Sequence, residues 1–96
     1  MVQEIAEITI KPGMQAPFEA GVTQARALFL RGRGCRGVSL KHSIEEPTRY
    51  LLVVDWETVD DHMVHFRASE DFQTWRKLVG DCFTVPPQVQ HVSTVL

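Results

Sequence analysis

The stretch "VDDHMVHFRASEDFQTWRK", residues 59–77, gathers two histidines, an arginine and a tryptophan. An imidazole titrates near neutral pH, so it can ligate a metal or move protons. A histidine metal site normally takes three protein ligands. His62 and His65 supply two, no His-Glu-x-x-His pattern is present, and Asp61 points elsewhere on the helical wheel. No metal is therefore expected. At roughly 100° per residue, Val59, Met63 and Phe66 define an apolar face. His62 borders that face and His65 lies towards water. His62 is thus the candidate catalytic acid–base group, set against the plainer reading of a boundary histidine with a satisfied hydrogen bond.

Other candidates divide between chemistry and structure. Trp56 stands at a strand end, where it would line a cleft mouth. Trp75 and Phe72 have the spacing of a helix core face. Arg67 follows Phe66 and suits a carboxylate or a helix end. Ser69 reads as a helix cap, because no Ser/His/acid grouping surrounds it. Cys35 and Cys82 match no metal or redox spacing. No glycine-rich loop of dinucleotide type follows a strand, which argues against a nicotinamide or ATP cofactor.

Whatever these residues do, a small frame must hold them. Ninety-six residues imply one domain, 1–96, with a thin core that a partner chain would reinforce. A net charge of −2 argues against nucleic acid, which needs clustered cations. Arg31, Arg33 and Arg36, interleaved with glycines, fit a helix C-terminus better than a phosphate site. No apolar run is long enough to span a membrane. Glu4 and Glu7 interrupt the first apolar run, so no signal peptide is read. The expected setting is intracellular and cytoplasmic, with free thiols.

The elements follow from periodicity. In "VQEIAEITIK", Glu4, Ala6, Ile8 and Ile10 share one face and Ile5, Glu7 and Thr9 the other, a strand pattern. "KPG" ends it. A helix is expected over 17–30, with Pro17 in its first position and Phe18, Val22, Ala25 and Phe29 as its stripe. "CRGVSLKHS" and "RYLLVVDWE" read as strands around the "IEEPT" turn. Thr58 with Asp61 forms a capping box for the next helix. Ser69 begins another, with the stripe Phe72, Trp75 and Val79. "QVQHVSTVL" is the last strand, with Val89, His91, Ser93 and Val95 on one face. The order β-α-β-β-α-β is an α+β, ferredoxin-like arrangement: a four-stranded antiparallel sheet with helices on one face. Tyr50, Leu52, Val54 and Trp56 fill one face of the third strand, yet Leu51 and Val53 make the other apolar too. Such a sheet is covered on both sides. The chain has helix for one side, and a second copy is the economical cover for the other.

Over nearly its full length the chain resembles the antibiotic biosynthesis monooxygenase (ABM) domain family, and the resemblance rests on residues 34–75, "GCRGVSLKHSIEEPTRYLLVVDWETVDDHMVHFRASEDFQTW". The matching marks are Gly34-Cys35, Glu46-Pro47, Trp56, His62 or His65, and Ser69 with Phe72. The resemblance implies a dimeric α/β barrel with a pocket between helices and sheet. It also implies cofactor-independent oxygenation of a small aromatic or quinol substrate. On that reading His62 is the base or hydrogen-bond donor, Trp56, Phe66 and Trp75 are pocket walls, and Arg67 or His91 holds a substrate oxygen. The haem-degrading branch's set is not reproduced. Residues 2–10 contain no Asn, and His65 stands near the helical Trp position. The alternatives are a binding module for a small hydrophobic ligand and a purely structural homodimer.

Overall fold

Alternation along two strands builds the inner layer of the fold. A computed structural model describes residues 1–96. β1 (Val2–Thr9) turns Glu4, Ala6 and Ile8 inward, with Ile10 just beyond, and β3 (Arg49–Trp56) turns Tyr50, Leu52, Val54 and Trp56 inward. The two run antiparallel with Val2 opposite Trp56 and Thr9 opposite Arg49. β2 (Cys35–His42) flanks β3, and β4 (Gln88–Val92) flanks β1, giving the order β2-β3-β1-β4. Helix α1 (Gln15–Leu30) and helix α2 (Glu70–Val79) lie on the inward face. Phe18, Val22, Ala25 and Phe29 of α1 and Trp75 and Val79 of α2 join the inward strand residues in one hydrophobic cluster. This is the ferredoxin-like sheet and helix arrangement expected from the sequence.

α1 starts at Gln15, two residues ahead of expectation. Pro17 still falls in the first turn, where its missing N–H has no intrahelical partner to lose. Ser69 caps α2 as expected, its hydroxyl accepting from the Phe72 N–H at 3.2 Å. β4 is shorter than its pattern predicts. Val92 already pairs with Gln3 near the start of β1, so Ser93–Leu96 have almost no neighbouring strand to continue the ladder and lie exposed.

The larger departure is in residues 61–66. In place of an α-helix with Val59, Met63 and Phe66 inward, Asp61–Phe66 form a π-helix. The Arg67 N–H donates to the His62 carbonyl at 3.1 Å, five residues back. The wider turn moves the inward face. Asp61, His62 and Phe66 are buried, while Val59 and Met63 are each 40% exposed. Only half of the expected capping box forms. Thr58 accepts from the Asp61 N–H at 3.1 Å, but the Asp61 carboxylate turns to Arg33 at 3.6 Å. Arg31 likewise pairs with Asp71, and Arg36 with Glu57.

The sheet's outer face is uncovered by this chain. Ile5, Leu51 and Val53 alternate out of phase with the core residues and remain half-exposed. Gln3 and Asp55 share a 2.9 Å hydrogen bond beside them.

Candidate active site

A carboxyl group sits where the inward pattern of β1 calls for an apolar side chain. Glu4 is 4% exposed. Trp56, the last residue of β3, donates its indole N–H to Glu4 Oε1 at 3.0 Å. The π-turn brings His62 over the same carboxyl, with Nε2 at 3.3 Å from Oε1, and stacks its ring on Trp56 at 5.5 Å and 16°. His91 of β4 is in register with Glu4, and its Nε2 lies 2.9 Å from His62 Nδ1. Three elements thus place Glu4, His62 and His91 in a line.

Burial shapes the electrostatics. Loss of water raises the Glu4 carboxyl to about 7, against the smaller opposing effects of the Trp56 hydrogen bond and the Arg67 charge. Loss of water, then the charges of His91 and Arg67, lowers His62 to about 4. Near neutral pH, His62 is therefore uncharged and its contact with Glu4 is a hydrogen-bonding contact rather than an ion pair. His62 Nδ1 and Nε2 face different partners, so the three side chains do not converge on one point as metal ligands must.

Glu4 and His62 open onto a cavity of about 680 Å³. Its floor is the sheet, at Ala6, Ile8 and Leu52, and its roof is Phe72 and Trp75. No fully buried side-chain polar atom lacks a partner, so Glu4 Oε2, which has none, retains some exposure and is the oxygen left facing the cavity.

The residues singled out from sequence divide into two groups. His62, Arg67 and Trp75 line the cavity. Trp56, Phe66 and His91 stand behind it. Trp56 holds Glu4. Phe66 packs with Phe29 at 4.9 Å and Trp56 at 5.4 Å. His91 reaches the cavity only through His62. His65 is exposed. Glu4 is the residue that sequence reasoning missed. Its signal is an acid on the inward face of a strand whose other inward positions are apolar.

Residues 1–78 match the sequence profile of the antibiotic biosynthesis monooxygenase family. The chain belongs to that family. A Bordetella bronchiseptica structure named for the same family is 67% identical, with a TM-score of 0.98 over 99% of the ABM chain described here and 97% of that chain. The uncharacterised protein YczJ of Bacillus subtilis is 38% identical over 95 residues, covering 99% of this ABM chain and all of its own. SnoaB of Streptomyces nogalater, a cofactor-independent oxygenase, shares the fold at a TM-score of 0.84 over 99% of this chain and 93% of its own, with 18% identity.

Proposed function

We propose that this ABM protein is a cofactor-independent oxygenase that oxidises a small aromatic or quinol substrate in the cavity beneath α2. The observation that carries the reading is Glu4. It is a buried carboxyl with one oxygen directed at an apolar cavity and a pKa of about 7. A base with that pKa is suited to work near neutral pH. The cofactor-independent activity named for SnoaB supports the same reading.

For an anthrone-like substrate the steps balance without a cofactor. Glu4 takes a proton from the CH₂ that lies across the central ring from the carbonyl and leaves an enolate whose charge is shared with the carbonyl oxygen through the rings. The enolate passes one electron to dioxygen, and the resulting radical and superoxide combine into a peroxide anion. That anion takes the proton back and loses water, so R₂CH₂ and O₂ give R₂C=O and H₂O. His62 holds the Glu4 carboxyl in place and exchanges a proton with it, so His62 acts on substrate through Glu4. The burial that raises the Glu4 pKa also makes its carboxylate a stronger base towards a substrate proton.

The uncovered outer sheet face supports a homodimer in which two sheets face each other.

Oxygen uptake with an anthrone or naphthoquinol panel tests the assignment. Uptake above the uncatalysed rate should rise with pH through an apparent pKa of about 7. Glu4→Gln should abolish that rise and lower kcat about 100-fold or more. His62→Ala should shift the pH profile as well as lower the rate. Activity of Glu4→Gln equal to that of the parent would sink the role given to Glu4.

A further inference from the structure

The cavity has an uneven charge. Arg67, Arg76 and Lys77 all line it, and Glu4 is the sole acid on its wall. Four other arginines are matched. Arg31, Arg33, Arg36 and Arg49 each lie against a carboxylate. Arg67, Arg76 and Lys77 have no carboxylate within ion-pair distance. The Arg67 and Arg76 guanidinium groups stand over the Phe72 ring, at 5.8 Å and 6.0 Å from its centre. Phe72 thus fixes two cations beside an apolar roof. The Arg67 charge also reaches inward and is felt at both Glu4 and His62.

A solvated charged face would need no cavity behind it. Here the three cations rim a cavity whose interior is sheet and aromatic surface. Ligand sites of this form combine apolar walls with a few placed polar groups that fix orientation. Two guanidinium forks and an ammonium favour a carboxylate over a neutral oxygen.

We propose that the cavity takes an aromatic acid, with its ring between Phe72 and the sheet floor and its carboxylate held by Arg67, Arg76 and Lys77. This names the substrate class for the site proposed above and rests on that site being where substrate binds. The carboxylate at the rim would orient the ring's reactive carbon towards Glu4. Carboxylate binding is the uniform part of recognition and acts mainly on KM.

The test is calorimetric titration under nitrogen with 2-naphthoate and its neutral counterpart 2-naphthalenemethanol. The parent protein should bind 2-naphthoate at least about tenfold more tightly, and added salt should narrow the gap. The triple variant R67Q/R76Q/K77Q should lose that preference while still binding the alcohol. The double variant R76Q/K77Q, altered only on the exposed side of α2, should show a partial loss. Thermal melts of both variants check that they fold. Equal affinity for the two probes, a preference that survives in the triple variant, or no 2-naphthoate binding at millimolar concentration would each overturn the proposal. Because binding is read without turnover, the two readings fail separately. Carboxylate preference without oxygen uptake supports this one alone, and uptake without preference removes it.

Discussion

Glu4 and His91 face each other across the β1–β4 ladder, and they communicate through a third ring. His62 comes down from the helical layer, with Nε2 at 3.3 Å from Glu4 and Nδ1 at 2.9 Å from His91. The line can be polarised in two ways. With Glu4 ionised, His91 donates to His62 and His62 donates to Glu4. With Glu4 protonated, both hydrogen bonds reverse. The two states differ by one proton, which reaches or leaves Glu4 by way of His62 and His91 without leaving a buried charge on His62.

Folding redistributes a proton within this pair. Glu4 is raised from 4.5 to about 7, so its contribution is fully present below pH 4.5 and is lost as pH rises towards 7. His62 is lowered from 6.5 to about 4, so its contribution is fully present above pH 6.5 and is lost as pH falls towards 4. Between those limits the unfolded chain has an ionised Glu4 and a charged His62, and the native chain has neither. The proton count is equal and the two slopes cancel. Each substitution should expose the other's slope. Relative to the parent, Glu4→Gln should lose stability as pH falls from 6.5 to 4, and His62→Gln as pH rises from 4.5 to 7. Each slope is bounded by about 1.4 kcal/mol per pH unit. Urea midpoints at pH 5, 6 and 7 measure this, and slopes of the same sign in both variants would contradict it.

Gly34 should tolerate no side chain. Its φ is +76°, and a Cβ there would collide with the Asp61 carboxylate. Gly34→Ala is expected to cost about 2–4 kcal/mol, combining left-handed backbone strain with displacement of Asp61. Removing the obstacle in Gly34→Ala/Asp61→Ala should return the steric part, so the two substitutions will not add. Chemical denaturation of the three variants gives the numbers. A fully additive double variant would show that Asp61 is not the obstacle.

Val53 lies on the open sheet face between the half-exposed Leu51 and the hydrogen-bonded Asp55. If that face joins two copies, Val53→Lys should convert a dimer to a monomer by bringing two unpaired ammonium groups into an apolar contact. Sedimentation velocity reads this directly. A parent protein that is monomeric at tens of micromolar would remove the barrel from the account.

The strands and both long helices are legible in the sequence because their periods are local. Ala6, Ile8 and Ile10 repeat every second residue, and Phe18, Val22, Ala25 and Phe29 recur at helical spacing. Ser69 carries its own cap chemistry. The π-turn leaves no such mark. His62, Val64 and Phe66 are ordinary residues, and the wider turn shows itself only in the backbone bonding, as in the bond from the Arg67 N–H to the His62 carbonyl five residues back. A 100° wheel therefore puts Val59 and Met63 inward, where the fold does not have them. Glu4 falls on the inward face of its strand in the sequence, but its value depends on two distant residues. Trp56 reaches it from β3 and His62 from above, and no spacing in the chain announces either contact. His91 needs the β1–β4 register before it can be placed beside Glu4 at all.

The π-turn holds one residue more than an α-turn would need, and that surplus has a consequence for how such chains diversify. Val64 is exposed, and the segment is anchored at one end by Thr58 and at the other by Ser69. Deleting one residue between those anchors would let the segment revert to an ordinary helix and swing His62 away from Glu4, with the sheet and both long helices intact. A sequence one residue shorter here should keep the architecture and lose the proton path. Loop length between the two caps then becomes a mark, alongside the identity of residue 4, that separates a chain with this proton path from one that keeps only the fold.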